Sequence, residues 1–272
     1  MVPEICKKPW KFAVQPFRIV NRLYYVGNAS VSSYLIDSGD GLILLDTGYP
    51  QTLYLLLESI RRLGFDPDDI KLVIHSHGHY DHIGGTRAIK ELTGARAAMG
   101  EPDARMIVES PELTWAPEYG LEFYEAFETE LPLTDGQVIE MGHVTVRCVH
   151  TPGHTDGCFS FFFDILWDDH VLTVGTFGGP GLNTLTDEYL ARYGLPQTRR
   201  IQYLNSLERL RKERVDVFIG VHPDQNRTFR KLQRWAGLSN PFVDPAEWQR
   251  FLDLLERAAR RLFSKSEVVR ND

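Results

Sequence analysis

The chain has 272 residues, of which 43% are hydrophobic and 25% are charged, and its formal net charge is -7 at pH 7. This composition is typical of a globular protein with one large domain or two small ones, because it supplies enough apolar surface for a sizeable core. The negative charge and the thinly spread Lys and Arg exclude a protein that binds nucleic acid by neutralising its phosphates, so we expect a small-molecule substrate.

The chain shows no membrane span and no disulfide framework. No apolar run reaches the roughly 20 residues that a bilayer requires, and we expect no membrane partner. Lys7, Pro9 and Lys11 interrupt any apolar core of a signal peptide, which predicts a cytoplasmic protein and leaves a mature secreted form open. Three cysteines at unrelated spacings indicate reduced thiols.

The first half of the chain predicts a meander of short strands, then alternating helices and strands. Turn signals such as the Ser-Gly-Asp-Gly run at 38–41 separate the β-rich runs, and leucines recur at helical spacing after residue 52. The predicted strands cover 17–20, 23–26, 31–36, 42–45 and 70–74, and the predicted helices cover 53–63, 83–92 and 101–108.

The second half repeats this order. An irregular insertion at 109–130 precedes the second half, and another at 182–194 lies within it. Long connections of this kind are usually functional or mobile. Strands alternating with helices predict two similar αβ halves packed sheet to sheet, with the helices outside. The predicted strands cover 138–140, 144–149, 159–163, 171–174 and 215–219, and the predicted helices cover 198–211 and a segment that begins at Asp244-Pro245.

The stretch His77-Gly78-His79-Tyr80-Asp81-His82 places four potential metal ligands directly after a buried strand. Packing does not explain it, because each unpaired imidazole or carboxylate there costs desolvation energy. In an extended loop His77 and His79 share one side, while Asp81 and His82 can turn toward a neighbouring ion. Imidazole nitrogen and carboxylate oxygen suit zinc.

Two later histidines complete two sites of three ligands each. His154 lies in a Pro-Gly turn after a strand, and His222 follows another strand. We expect His77, His79 and His154 to bind one ion, and Asp81, His82 and His222 to bind a second, each with an open position for catalysis. Ordinary packing roles suit the remaining histidines better: His75, His143, His150 and His170.

The motif HxHxDH at 77–82 resembles the metallo-β-lactamase superfamily, and the likeness extends from about residue 16 to about residue 223. The resemblance implies an αββα sandwich of two mixed β-sheets with helices on both outer faces. It implies a single domain over 1–272 with a C-terminal helical extension at about 226–272. Asp46 matches a buried aspartate that orients the metal ligands, although a turn aspartate at a strand end is an equal alternative.

Thr176 marks a departure from most of this superfamily, which carries a metal-bridging aspartate at that position. The third subclass of metallo-β-lactamases, the B3 type, also lacks this aspartate, and the runs 16–19, 24–27, 63–67 and 175–181 are similar to it. That subclass has a serine in place of the aspartate, and it has a second serine two residues later that helps to bind the substrate carboxylate. Gly178 stands at that position here.

The resemblance implies a zinc-dependent hydrolase with two Zn²⁺ per chain. Hydroxide would attack a carbonyl of a cyclic amide (β-lactam) or a related substrate, and Asp81 would orient it and pass on its proton. Thr176 and Tyr193 are candidate substrate contacts. The alternatives are a cytoplasmic lactonase or thioester hydrolase of the same superfamily, and a non-hydrolytic metal-binding or redox protein on this fold.

Overall fold

Two mixed β-sheets pack face to face with helices on both outer faces, which confirms the predicted αββα sandwich. The computed structural model describes residues 1–235, 237 and 239–268. The strands are β1 (Phe17–Val20), β2 (Leu23–Tyr25), β3 (Tyr34–Asp37), β4 (Leu42–Leu45), β5 (Ile70–Ile74), β6 (Arg96–Gly100), β7 (Leu131–Leu133), β8 (Val138–Met141), β9 (Val144–His150), β10 (Phe159–Trp167), β11 (His170–Thr176) and β12 (Val217–Phe218). The helices are α1 (Glu4–Lys7), α2 (Leu53–Arg62), α3 (Tyr80–Ile83), α4 (Thr86–Thr93), α5 (Glu101–Glu109), α6 (Asp187–Arg192), α7 (Thr198–Leu210), α8 (Thr228–Arg234) and α9 (Glu247–Val268).

Each sheet changes from antiparallel to parallel pairing along its width. The first sheet runs from β1 to β7 in chain order, antiparallel as far as β4 and parallel from β4 to β7. The second sheet has the order β12-β11-β10-β9-β8, and only the β11–β12 pair is parallel. The loops that leave β5, β9 and β12 reach the same end of the sandwich, where their histidines meet.

Alternating side chains divide the core into layers. Ile43, Leu45 and Ile74 face the second sheet, whereas Leu44 and Val73 face outward against α2 and α4. This is the period of two expected of strands that are covered on both faces. The outer face of the second sheet is covered by α7 and α9.

The C-terminal helix α9 packs as a structural part of the sandwich. Trp248 is buried, its indole N–H donates to Leu210 O at 3.0 Å, and its ring contacts Phe218 and Phe162. The predicted extension at about 226–272 includes residues 236, 238 and 269–272, which lie outside the described residues, and the division of the chain at residue 226 stays a prediction.

Two details of the predicted elements were wrong. The helix predicted over 83–92 is divided, because Gly84 N–H donates to Gly48 O and Gly85 N–H donates to Thr47 Oγ1 instead of continuing one helical ladder. The strands β6 and β7 were not predicted, because their sequences carry little β-branched or aromatic signal. Among the described residues, no helix has the length and apolar character to cross a bilayer. The predicted cytoplasmic location stays a prediction.

Candidate metal centre

Three imidazole nitrogens converge beyond the end of β5. His77 and His79 lie on the loop after this strand, and His154 lies between β9 and β10. His79 Nδ1 is 3.1 Å from His77 Nε2 and 3.0 Å from His154 Nε2, and all three side chains are buried. Burial lowers the pKa of each ring, that of His154 to about 3. The rings are therefore neutral at pH 7 and can offer lone pairs.

Hydrogen bonds on the far side of the rings decide which nitrogen faces this cluster. His154 Nδ1–H donates to Gly181 O at 2.8 Å, because a carbonyl oxygen can only accept. His77 Nδ1 is 3.1 Å from Ser76 Oγ, whose own proton is donated to Asp46 Oδ2 at 2.6 Å. The Nε2 atoms of His77 and His154 consequently carry lone pairs, as metal ligation requires.

A second cluster beside the first combines one carboxylate with two imidazoles. Asp81 Oδ2 is 3.7 Å from both His82 Nε2 and His222 Nε2. His222 Nδ1–H donates to Ser30 O at 2.9 Å, which leaves its Nε2 as the acceptor. The ring centroids of His77 and His82 are 4.2 Å apart, so the two clusters adjoin.

Asp46 connects the loops that carry both clusters. It follows β4 with φ of +57°, Oδ1 accepts from Ser76 N–H at 2.8 Å, and Oδ2 accepts from His82 Nδ1–H at 2.9 Å. Burial opposes its ionisation, but the imidazoles of His82 and His75 outweigh burial and hold the pKa of Asp46 well below its usual range. Asp46 thus contacts one predicted ligand directly and a second, His77, through Ser76, which is the geometry that the predicted orienting role requires.

The remaining histidines lie outside both clusters. His75 is buried, and its Nε2 is 3.0 Å from Thr86 Oγ1. His150 Nε2 is 2.8 Å from the carbonyl oxygen of Asp156. His143 lies on the turn between β8 and β9, and His170 is the first residue of β11.

Asp103 carries no sequence motif, yet it connects the two loops of the first cluster. It lies in the first turn of α5 and is buried. Its Oδ2 accepts from Gly78 N–H and from the Thr155 hydroxyl at 2.7 Å each, and its Oδ1 accepts from Gly157 N–H at 2.8 Å. Acidic residues are common in first helical turns because of the helix dipole, so nothing in the sequence distinguishes Asp103 from Glu101.

A small cavity of about 120 Å³ opens onto both clusters. Trp115 and Tyr119, from the 109–130 insertion, form one wall, and Pro180, Gly181 and Asn183 form another. Trp115 has φ of +70°, and its ring stacks on Tyr189 with 5.1 Å between centroids. The aromatic insertion therefore covers the histidines and shapes the space above them.

The two predicted substrate contacts do not line this cavity. The Thr176 hydroxyl is buried and has no hydrogen-bond partner among the described residues. The Tyr193 hydroxyl donates to Glu118 Oε1 at 2.9 Å, away from the clusters. A Cβ atom at Gly178 would lie 1.9 Å from Phe159 O, so no side chain fits at that position.

The two donor sets fit divalent cations. Within each cluster the candidate ligand atoms lie within 4.8 Å of one another. In the first cluster the protons of His77 and His154 lie on Nδ1, so the one proton of neutral His79 would have to serve two lone pairs, at 3.1 and 3.0 Å from its Nδ1. A cation of the zinc class resolves this arrangement in the first cluster, and the mixed carboxylate and imidazole set suits the same class in the second.

Comparison with known families assigns the chain to a class. The model of the metallo-beta-lactamase superfamily matches residues 26–222. The chain therefore belongs to the metallo-β-lactamase superfamily. Together with the two donor clusters, this membership supports a metal-dependent hydrolase.

Several similar solved structures are subclass B3 metallo-β-lactamases. The crystal structure of BJP-1, a subclass B3 metallo-β-lactamase of Bradyrhizobium japonicum, superposes with a TM-score of 0.86 and 27% identity over 97% of this chain and 99% of that one. Native FEZ-1 metallo-β-lactamase from Legionella gormanii gives a TM-score of 0.86 and 27% identity over 94% and 98%. The predicted similarity to B3 enzymes is confirmed.

Relatives by sequence are more varied. A protein described as a "probable metallo-hydrolase" of Methanocaldococcus jannaschii is 29% identical over 188 residues, which are 68% of this chain and 83% of that protein. An N-acyl homoserine lactonase of Bacillus thuringiensis is 23% identical over 233 residues, 75% of this chain and 85% of the lactonase.

Proposed function

We propose that the chain is a zinc-dependent hydrolase with two adjoining metal sites on one cavity. Three protein ligands per ion leave a position open, as catalytic zinc sites do and structural zinc sites do not. The pair of three-ligand clusters is the observation that carries this proposal. The first ion would be bound by His77, His79 and His154, and the second by Asp81, His82 and His222.

The protein groups around the clusters have distinct roles in this proposal. Zinc would supply a water molecule whose pKa is near 7 and would polarise the substrate carbonyl. Asp81 is the one carboxylate among the described residues that line the cavity, so we assign to it the orientation of the attacking water and the removal of its proton. Asp46 holds the His82 ring in place, and Trp115 and Tyr119 exclude bulk water.

We infer that the preferred substrate is a cyclic amide, the β-lactam ring. No second carboxylate joins Asp81 on the described walls of the cavity, and the residue at 176 is threonine instead of a bridging aspartate. The B3 enzymes that match almost the whole chain at 27% identity act on β-lactams by their names. These observations favour β-lactam cleavage over the other carbonyl substrates of the superfamily.

Cleavage of a lactone or a thioester is the second candidate. It is favoured by the similarity to N-acyl homoserine lactonase, which covers 75% of this chain. The same water and the same Asp81 would serve this reaction, since an ester carbonyl is attacked in the same way as an amide carbonyl.

One assay decides between β-lactam cleavage and lactone or thioester cleavage. Zinc-loaded protein is tested side by side on a chromogenic cephalosporin, an acyl-homoserine lactone and a neutral acyl thioester. We expect the highest kcat/KM with the cephalosporin, and a higher kcat/KM with the lactone would reverse our preference.

His154→Ala should remove most bound zinc, measured by elemental analysis, and most turnover. His170→Ala, which alters an exposed histidine outside both clusters, is the matched control. Retained turnover in His154→Ala would refute the site.

A further substitution tests the substrate argument. Thr176→Asp places a carboxylate at the position where most of the superfamily has its bridging aspartate. We expect lactone turnover to rise and cephalosporin turnover to fall. A parallel loss of both activities at unchanged zinc content would remove the support that Thr176 gives to a β-lactam substrate.

A further inference from the structure

A second cavity, of about 480 Å³, adjoins the metal cavity on the side of His222. Its walls are Ala29 and Ser30, on the β2–β3 loop, and the segment that follows His222 as far as Arg230. His222 and Gln225 line both cavities. The two cavities therefore adjoin at these two side chains, and a molecule that occupies both must pass them.

Arg227 and Arg230 make the second cavity cationic. Both are exposed and line its wall, and neither guanidinium has an ion pair or a hydrogen bond within residues 1–235, 237 and 239–268. Of the described residues, only Asp224 adds a carboxylate to this wall. Two guanidinium groups against one carboxylate leave a net positive charge, in a chain whose formal total is -7.

The backbone at Arg227 is in a conformation that an arginine adopts with difficulty. Its φ of +55° lies in the left-handed region, which favours glycine and asparagine. Its N–H donates to Asp224 O at 3.3 Å in the turn that precedes α8. Residues in this conformation are frequent at ligand sites. Here the residue is Arg227, whose charged side chain lines the wall of the second cavity.

The metal cavity itself offers no such cation. Its described walls contain neither Lys nor Arg, and position 178 can contribute no side chain because of its contact with Phe159 O. Among the described residues that line the two adjoining cavities, only Arg227 and Arg230 carry a permanent positive charge.

We propose that Arg227 and Arg230 bind an anionic group of the substrate, a carboxylate or a phosphate, while the carbonyl to be cleaved lies at the metal clusters. Guanidinium groups bind both kinds of oxyanion through paired N–H donors. The inference rests on the proposed hydrolase function, and it narrows the substrates to acids whose charge is separated from the reactive carbonyl.

Two matched pairs of compounds test this proposal and separate the two anions. The first pair is a penicillin and its methyl ester, which differ in the carboxylate. The second is an acyl-coenzyme A and the same acyl thioester of N-acetylcysteamine, which differ in the phosphates. KM and kcat are measured with zinc-loaded protein, and Kd is measured by calorimetry for any compound that is not hydrolysed. The variants are Arg227→Gln with Arg230→Gln, and the control is Arg234→Gln, an exposed arginine of α8 that does not line the cavity.

Because the two guanidinium groups are exposed, we expect a preference of about tenfold in KM or Kd for the charged member of one pair. The pair that shows the preference identifies the anion. The double variant should reduce this preference to below about threefold, and the control should keep it. Equal affinity for charged and neutral compounds in the wild type would overturn the proposal, as would equal effects of the control and the double variant. Absence of all turnover would refute the hydrolase function alone, since the calorimetric preference still decides the anion site.

Discussion

A substitution at Asp103 tests whether helix α5 holds the two histidine loops of the first cluster in position. Asp103→Asn is nearly isosteric with the wild type but replaces one acceptor oxygen by an NH₂ group. With the amide oxygen in the place of Oδ2, the bonds from Gly78 N–H and Thr155 are kept. The NH₂ group then faces Gly157 N–H, which has lost its acceptor. The damage is confined to the loop that carries His154.

The magnitude follows from the burial of these groups. A buried donor left without its acceptor costs about 1–3 kcal/mol, so the free energy of unfolding of Asp103→Asn should fall by about 2 kcal/mol. Loss of all three bonds in Asp103→Ala should cost about 3–9 kcal/mol, a large part of the stability of an ordinary domain. Substitution of a group that positions metal ligands typically lowers metal affinity by about 10–100-fold. We expect such a loss of zinc affinity at the first cluster only.

The assay is competition between the protein and a chromogenic chelator for zinc, with stability measured in parallel by denaturant unfolding. Glu101→Gln removes the same charge from an exposed residue in the same helical turn and should leave both values unchanged. Asp103→Asn should lose affinity for one of two bound zinc ions. Wild-type affinity at both sites, together with a lowered stability, would show that Asp103 supports the fold without positioning His154.

Other predictions concern the same loops. Gly157→Ala should lower the free energy of unfolding by about 3 kcal/mol, because a Cβ atom there would lie 2.4 Å from Asp103 N; a wild-type denaturation midpoint would show that the loop can move aside. In metal-free protein the three rings of the first cluster should contribute a loss of about 4 kcal/mol of stability between pH 7.5 and pH 5.5, while the lowered pKa of His75 and the raised pKa of His82 act in opposite directions. Burial lowers the pKa of His77, His79 and His154 in the folded state, so the unfolded chain binds the protons, and stability is complete above the unfolded pKa of about 6.5 and falls below it. Urea titrations at the two pH values measure this change, and equal stability would contradict neutral buried rings. Zinc at about 100 times its Kd should add about 2.7 kcal/mol, so a chelator should lower the melting temperature and added zinc should restore it.

Local patterns in the sequence were sufficient for much of the fold. The strands β1, β4 and β5 and the helices α2 and α7 lie within a residue or two of their predicted positions, because period-two and helical spacings of apolar residues depend on near neighbours in the chain. Strands β6 and β7 were missed because parallel pairing stabilises them, β6 against β5 and β7 against β6, and that stabilisation comes from residues distant in sequence.

The sequence by itself determined the donor groups, because six ligand-type residues at motif spacing are a property of composition and local order. Only the tertiary structure brought His154 within 3.0 Å of His79 and His222 within 3.7 Å of Asp81. It also decided the parts played by Asp103 and Arg227. The roles of these two residues depend on contacts and cavities formed by segments far apart in the chain. Contacts of this kind produce no local sequence pattern, so they could not be predicted from the sequence.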